Sequence, residues 1–283
     1  MTHPRSVAIV TDSTADIPAE MAAAEGITVV RLVTTFPDGA CFRDGDLSQA
    51  EFFERMERSR TLPTTSQPPV GDFTAVYEGL LEHFAHVVSI HVSNRLSGTI
   101  DSARAAAEAF EGRVSVFDSL NLSTALGWQV LEAARFAAAG ATAADVLAAA
   151  ERVRSRVRHI IGIDKLDNLA RGGRIGALSA FMGGLLNLKV LFTVDSDGAF
   201  QPVTRARGHN SAMRATLAFV KQGMGDCTHG RFFVAHAMSP EIAAYLRDAI
   251  AATYEAPELR IVETGVVIAT HTGSGWGISF VPE

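Results

Sequence analysis

Short apolar runs and segments of helical period alternate along the first half of the chain. Val7–Val10, Thr28–Val33, Val87–Val92 and Val114–Phe117 have the length and β-branched content of buried strands. Between them, Phe73, Val76, Tyr77, Leu80, Leu81 and Phe84 recur at i, i+3, i+4, i+7, i+8 and i+11, one apolar helix face. Ile100, Ala103, Ala107 and Phe110 give a second face, with Ser97 placed to cap the helix start. Strands alternating with amphipathic helices predict an α/β fold with a covered parallel sheet, Rossmann-like in character.

The rhythm changes after about residue 160. An Ala-rich stretch from Leu131 to Val157, interrupted near Gly140, predicts two helices, and His159–Ile163 a strand. Leu188–Val194 and Phe200–Arg205 flank Asp197-Gly198, a hairpin signature. A helix is expected after Gly208, and Ser239-Pro240 opens another with Ser as cap and Pro at the first position. Phe232–Ala237, Leu259–Glu263 and Gly277–Val281 complete the strands. Hairpins here and parallel units earlier predict two domains, an N-terminal α/β domain over 1–158 and a C-terminal mixed α+β domain over 159–283.

Composition narrows the function. The 283 residues are 47% hydrophobic and 20% charged, which excludes wholesale disorder. A formal charge of -6 argues against a nucleic-acid binder. The one dense basic stretch, Arg152, Arg154, Arg156 and Arg158, reads as a solvated helix face. The Val7–Val10 run is too short for a signal-peptide core, and no run is long enough to span a membrane. Cys41 and Cys227 belong to no CxxC, so a reducing cytoplasm is the expected compartment.

Ligands of open parallel sheets bind outside the carboxyl ends of the strands. Those ends carry Thr11-Asp12-Ser13-Thr14, Ser93-Asn94-Arg95-Leu96-Ser97-Gly98-Thr99 and Asp118-Ser119, with Pro63-Thr64-Thr65-Ser66-Gln67-Pro68 ahead of the Phe73 helix. All are rich in hydroxyls and poor in lysine, chemistry suited to a small acidic head group held by neutral donors. The Ser97-Gly98-Thr99 turn would add a helix N-terminus, and Gly98 would admit close approach of a ligand to the backbone. Each loop has a plainer reading too, Ser97 as a cap and Asp12 as a turn tie. GxxxxGK[ST], HExxH and GxSxG are absent, and Gly273-Ser274-Gly275-Trp276-Gly277 has no helix after it as a dinucleotide site needs.

Six motifs then fall in one order: Val10-Thr11-Asp12-Ser13-Thr14, Thr64-Thr65-Ser66-Gln67-Pro68, Leu96-Ser97-Gly98-Thr99, Arg171-Gly172-Gly173-Arg174-Ile175, Asn187-Leu188-Lys189-Val190 with a following Asp-Gly, and His271-Thr272-Gly273. Together they resemble the DegV family of bacterial fatty-acid-binding proteins, over essentially the whole chain. The resemblance implies two α/β domains with a long-chain fatty acid buried in a tunnel between them and no other cofactor or metal. It implies no catalysis by this chain, but presentation of the acyl carboxylate to a dihydroxyacetone-kinase-like fatty acid kinase subunit that phosphorylates it. Contact with a membrane would be transient at most. Head-group binding would fall to Thr65, Ser66, Ser93, Ser97, Gly98, Thr99 and His271, and phosphate or partner contact to Arg174 and Arg207. The chain departs from the family pattern at Gly208-His209-Asn210-Ser211, where a basic run is usual, and at Thr272-Gly273-Ser274-Gly275.

Energetics set a condition on such a ligand. Roughly fifteen buried methylenes contribute about 12 kcal/mol before the costs of ordering and association. Micromolar to nanomolar affinity therefore needs most of the tail enclosed. Phe181, Met182, Leu185, Leu186 and Phe192, with Leu178, are the candidate tail-lining residues, although each could equally be ordinary core. Two alternatives stand beside the carrier: an acyl hydrolase pairing Ser97 or Ser13 with His271, and a carrier of another amphiphilic lipid.

Overall fold

The structure is a computed structural model that describes residues 5–59, 61–181 and 188–283. The chain divides into two compact units, Met1–Val33 with Ser66–Ser155, and Thr34–Thr65 with Arg156–Glu283.

In the first unit four parallel strands lie in the order Ile27–Val30, Arg5–Asp12, Phe84–His91, Val114–Asp118. The helices Val70–Leu81 and Thr99–Ala107 pack on this sheet through Phe73, Tyr77, Ala103 and Ala106, against Ala8, Val10, Val30, Val87 and Val114. Phe84, which the helical period counts into the first of these faces, instead starts a strand. The helix Ser123–Ala138 packs against the first strand; Trp128, Val130 and Leu131 are buried, and Gly127 lies close to the Ala15 carbonyl. The helix Ala143–Arg156 ends before Arg158, which opens the next strand, so the basic run is not one helix face. Its guanidiniums are used locally: Arg152 lies over Phe136, and Arg154 lies over Phe117 and donates to the Asp118 carbonyl.

The second unit holds a six-stranded sheet in the order Phe200–Arg207, Leu188–Val194, Arg158–Ile163, Gly275–Pro282, Gly230–Ala237, Leu259–Glu263. All neighbours are antiparallel except the last pair. The helices Gly208–Met224 and Pro240–Ala251 cover one face, enclosing Ile160, Leu191, Phe232, Val234, Ile278 and Phe280.

The segment Thr34–Thr65, expected within a domain over 1–158, groups with the C-terminal residues, for identifiable reasons. Phe36 and Phe52 pack against Ala237, Val266 and Ala269. The buried Gln49 carboxamide donates to the carbonyls of His236 and Thr264 and accepts from the Met238 N–H. Asp44 accepts the N–H of Val266, the first residue of the helix Val266–Thr272. Cys41–Arg43, Val33–Thr35 and Thr64–Ser66 form a small sheet in that order.

A buried polar chain fixes the strand ends of the first unit. Tyr77 Oη donates to Ser89 Oγ (2.8 Å), Ser89 Oγ meets His91 Nε2 (2.6 Å), and His91 Nδ1 meets Asp12 Oδ2 (3.0 Å). Asp12 also accepts from Thr14 N–H, the Thr14 hydroxyl and Val92 N–H, so four donors converge on one carboxylate. All four members of the chain are fully buried. Asp12→Asn should lower stability by about 3 kcal/mol, because a carboxamide cannot accept from all of these donors. Tyr77→Phe, which removes only the terminal donor, should cost about 1 kcal/mol. Urea unfolding midpoints check the order; a Tyr77→Phe loss larger than that of Asp12→Asn would contradict this reading of the chain.

Candidate functional site

In the first unit, the carboxyl ends of the central strands meet where the strand order reverses, the usual ligand position in such sheets. The Asp12–His91 bond and the Val92 N–H bond tie the two central strand ends together there. The loop that follows is held by several bonds. Ser93 N–H donates to the Asn121 carbonyl, and Asn94 N–H and Leu120 N–H donate to the two oxygens of Asp118.

Ser93 builds the turn: its carbonyl accepts the N–H groups of Leu96 and Ser97, and its hydroxyl accepts that of Arg95. The residue at the cap of the Thr99–Ala107 helix is Gly98, not Ser97. Ser97 stands one residue earlier, where its Oγ accepts the Thr99 N–H (3.3 Å) and meets Thr99 Oγ1 (2.9 Å). A serine there satisfies one first-turn donor without occupying the cap. Gly98 has a local use as well. A Cβ on it would fall 2.1 Å from Gln67 Oε1, so the missing side chain admits the Gln67 carboxamide, whose Nε2 donates to Ser102 Oγ (2.9 Å). Gln67, two residues after Thr65, was visible in sequence only as part of a hydroxyl-rich loop.

In the second unit, Thr65 Oγ1 and His271 Nε2 are 2.7 Å apart across 206 residues of sequence. Thr65 is the middle residue of its short strand, and His271 stands in the last turn of the Val266–Thr272 helix. That helix is pinned at its start by Asp44 and near its end by the Asn168 carboxamide, which donates to the Thr270 carbonyl (3.1 Å). Gly172 makes room for the imidazole: a Cβ there would lie 2.4 Å from His271 Nδ1. In the sequence Gly172 is one residue of a motif, and the need for glycine there appears only once His271 is placed above it.

Burial, assisted by the Arg174 charge, lowers the His271 pKa from 6.5 to about 4, so the ring is neutral at pH 7. A neutral imidazole has one donor and one acceptor nitrogen. Nδ1 is buried and has no hydrogen-bond partner among the described residues. A buried N–H without a partner is rarer and costlier than a bare lone pair, which favours the proton on Nε2. Nε2–H then donates to Thr65 Oγ1, and the threonine O–H is left to donate onward to an acceptor. A base of pKa about 4 is weak at neutral pH, so His271 is poorly suited to activating a serine.

The remaining expected residues are spread more widely. Ser66 is exposed beside Thr65. Arg174 is exposed and donates to the Gly172 carbonyl (2.7 Å), directly under the His271 ring. Arg207 is exposed at the head of the Gly208–Met224 helix. Next to it, His209 and Lys189 both bind Asp164, at 2.9 and 2.8 Å. Burial pushes the Asp164 carboxyl up, but the hydrogen bonds from Lys189 and His209 outweigh it and hold the group below its ordinary range. Phe192 is fully buried with its ring 4.9 Å from that of Phe200, and the half-buried Phe181 lies under the Arg205 guanidinium. Met182, Leu185 and Leu186 lie outside the described residues.

The depressed His271 pKa has a consequence for stability. The unfolded chain takes up the proton near pH 6.5 and the folded chain only near 4. This contribution is therefore fully present above pH 6.5 and is lost as the pH falls toward 4. His271→Asn should reduce the acid-induced loss over that interval by about 3 kcal/mol. Urea denaturation at a series of pH values checks this, and an unchanged acid limb in the variant would refute it.

Comparison with known proteins agrees with this architecture. The family model of DegV matches residues 6–283. A DegV domain-containing protein of Streptococcus pyogenes is 36% identical over 275 residues, covering 95% of this chain and 96% of its own. Among solved structures, a DegV family protein of Thermus thermophilus described for its fatty-acid binding superposes with a TM-score of 0.93 at 35% identity, covering 98% of this chain and 100% of the other. DegV of Bacillus subtilis, described as a fatty acid binding protein, gives 0.88 at 32% identity over 99% of this chain and 100% of its own. This chain belongs to the DegV family.

Proposed function

We propose that this protein binds a long-chain fatty acid non-covalently, holds its carboxyl group with neutral donors and delivers it to a kinase. The observation that carries the reading is the Thr65–His271 pair. It is a half-buried, uncharged hydrogen-bonded couple whose threonine O–H is left to serve an acidic oxygen. Relatives of known structure bind fatty acids, including those of Thermus thermophilus and Bacillus subtilis. A carboxyl group leaving water needs hydrogen-bond compensation, or protonation in place, and hydroxyl donors allow either. The Ser97 and Thr99 hydroxyls are further neutral groups of the same kind. Ser66, Ser93 and Gly98 complete the proposed head-group set, and Phe181 and Phe192 are the described candidates for the tail.

Group transfer would be the work of a separate dihydroxyacetone-kinase-like subunit acting with ATP on the bound carboxylate. Arg174 and Arg207 are exposed cations suited to a phosphate or to an acidic partner surface. The reading places the protein in the cytoplasm, where such a kinase and free fatty acids meet.

Calorimetric titration of delipidated protein with palmitic acid tests the binding. Thr65→Ala should weaken it by roughly 1–3 kcal/mol, and Thr65→Ser, which keeps the hydroxyl, should stay near wild type. Equal affinities for all three proteins would remove Thr65 from the site, and no heat with any of them would end the fatty-acid reading. Incubation of the loaded protein with such a kinase and ATP tests delivery, and an acid left unphosphorylated would sink that part alone.

A further inference from the structure

The face of the second unit's sheet turned away from the Gly208–Met224 and Pro240–Ala251 helices is apolar at its centre, where His159 and Ser279 are buried polar residues. His159, Ile161 and Ile163 point to that face from their strand; Phe192 lies opposite Ile161, Gly277 on its other side, and Ser279 opposite His159. His159 is 3% exposed, and its Nδ1 has no hydrogen-bond partner among the described residues. Its Nε2 lies over Gly277, where a Cβ would come within 3.3 Å. Small residues, Ala235 and Gly277, stand side by side at the centre of this face, so the imidazole rises among positions that carry little side chain.

An apolar residue would serve a plain core better here. Burying a polar group without a partner is destabilising, and native proteins rarely leave one so without a use for it. Desolvation lowers the His159 pKa to about 3, so the ring is neutral and offers one donor and one acceptor. A hydroxyl has the same complement. A saturated hydrocarbon would leave the ring unsatisfied, and an anion would use only its donor.

We infer that His159 recognises an oxygen carried on the hydrocarbon chain of the ligand, and that the preferred ligands include fatty acids bearing a mid-chain hydroxyl. The inference rests on the fatty-acid reading, and on Phe192 lining the tail, since Phe192 and His159 share one face of the sheet. It adds that this site discriminates by hydrogen bonding along the tail as well as at the head group.

Competition of stearic acid with 12-hydroxystearic and 10-hydroxystearic acids on delipidated wild-type protein is the test. Wild type should bind at least one hydroxy acid about tenfold more tightly than stearic acid. His159→Leu should keep stearic acid affinity and reverse that preference, while His159→Gln, which retains a donor and an acceptor, should preserve it. Stearic acid binding with no hydroxyl preference in wild type would overturn the inference and leave the fatty-acid reading intact. So would a preference that survives unchanged in folded His159→Leu. Absence of binding by any of the acids would overturn both.

Discussion

A half-buried imidazole that stays uncharged is the constraint on which the candidate site depends. His271 is held neutral by desolvation and by the neighbouring Arg174, and its hydrogen bond to Thr65 takes up the ring donor. The couple can therefore hand a hydroxyl proton to an acidic oxygen without placing a fixed positive charge beside it. A charged histidine or lysine would grip a carboxylate more firmly. It would also fix a positive charge beside the bound group, which the neutral couple avoids.

Much of the fold serves to keep that couple in register. Thr65 comes from a three-residue strand and His271 from a seven-residue helix, neither of which is stable alone. Asp44 and Asn168 hold the helix by bonding to its backbone at Val266 and Thr270, and Gln49 ties the residues before it through the carbonyls of His236 and Thr264. In the first unit the Tyr77–Ser89–His91–Asp12 chain plays a comparable part, since it fixes the strand ends from which the Ser93–Thr99 loop springs. Both devices bury polar groups, and both satisfy nearly all of them.

Periodicity made the regular elements legible. The Phe73 face, the Asp197-Gly198 hairpin and the Ser239-Pro240 helix start all have physical signatures within a few residues of sequence. The segment Thr34–Thr65 did not, because its strands are short and its grouping depends on Phe36, Phe52 and Gln49 meeting residues some two hundred positions away. The hydroxyl-rich loops were visible as candidates, and the order of six motifs picked out Thr65 and His271. What no local pattern carried was the cause of each placement: Gly172 under the imidazole, Gln67 across Gly98, His91 on Asp12. Such contacts are fixed by tertiary packing, and the glycines among them look in sequence like any other turn residue.

The central claim is that this molecule carries a fatty acid, and the most direct measurement is of what it carries when isolated. Protein purified without detergent, denatured and extracted with organic solvent, should release a long-chain fatty acid in near-stoichiometric amount by mass spectrometry. An extract free of lipid, from protein that also fails to take up added fatty acid, would contradict the account.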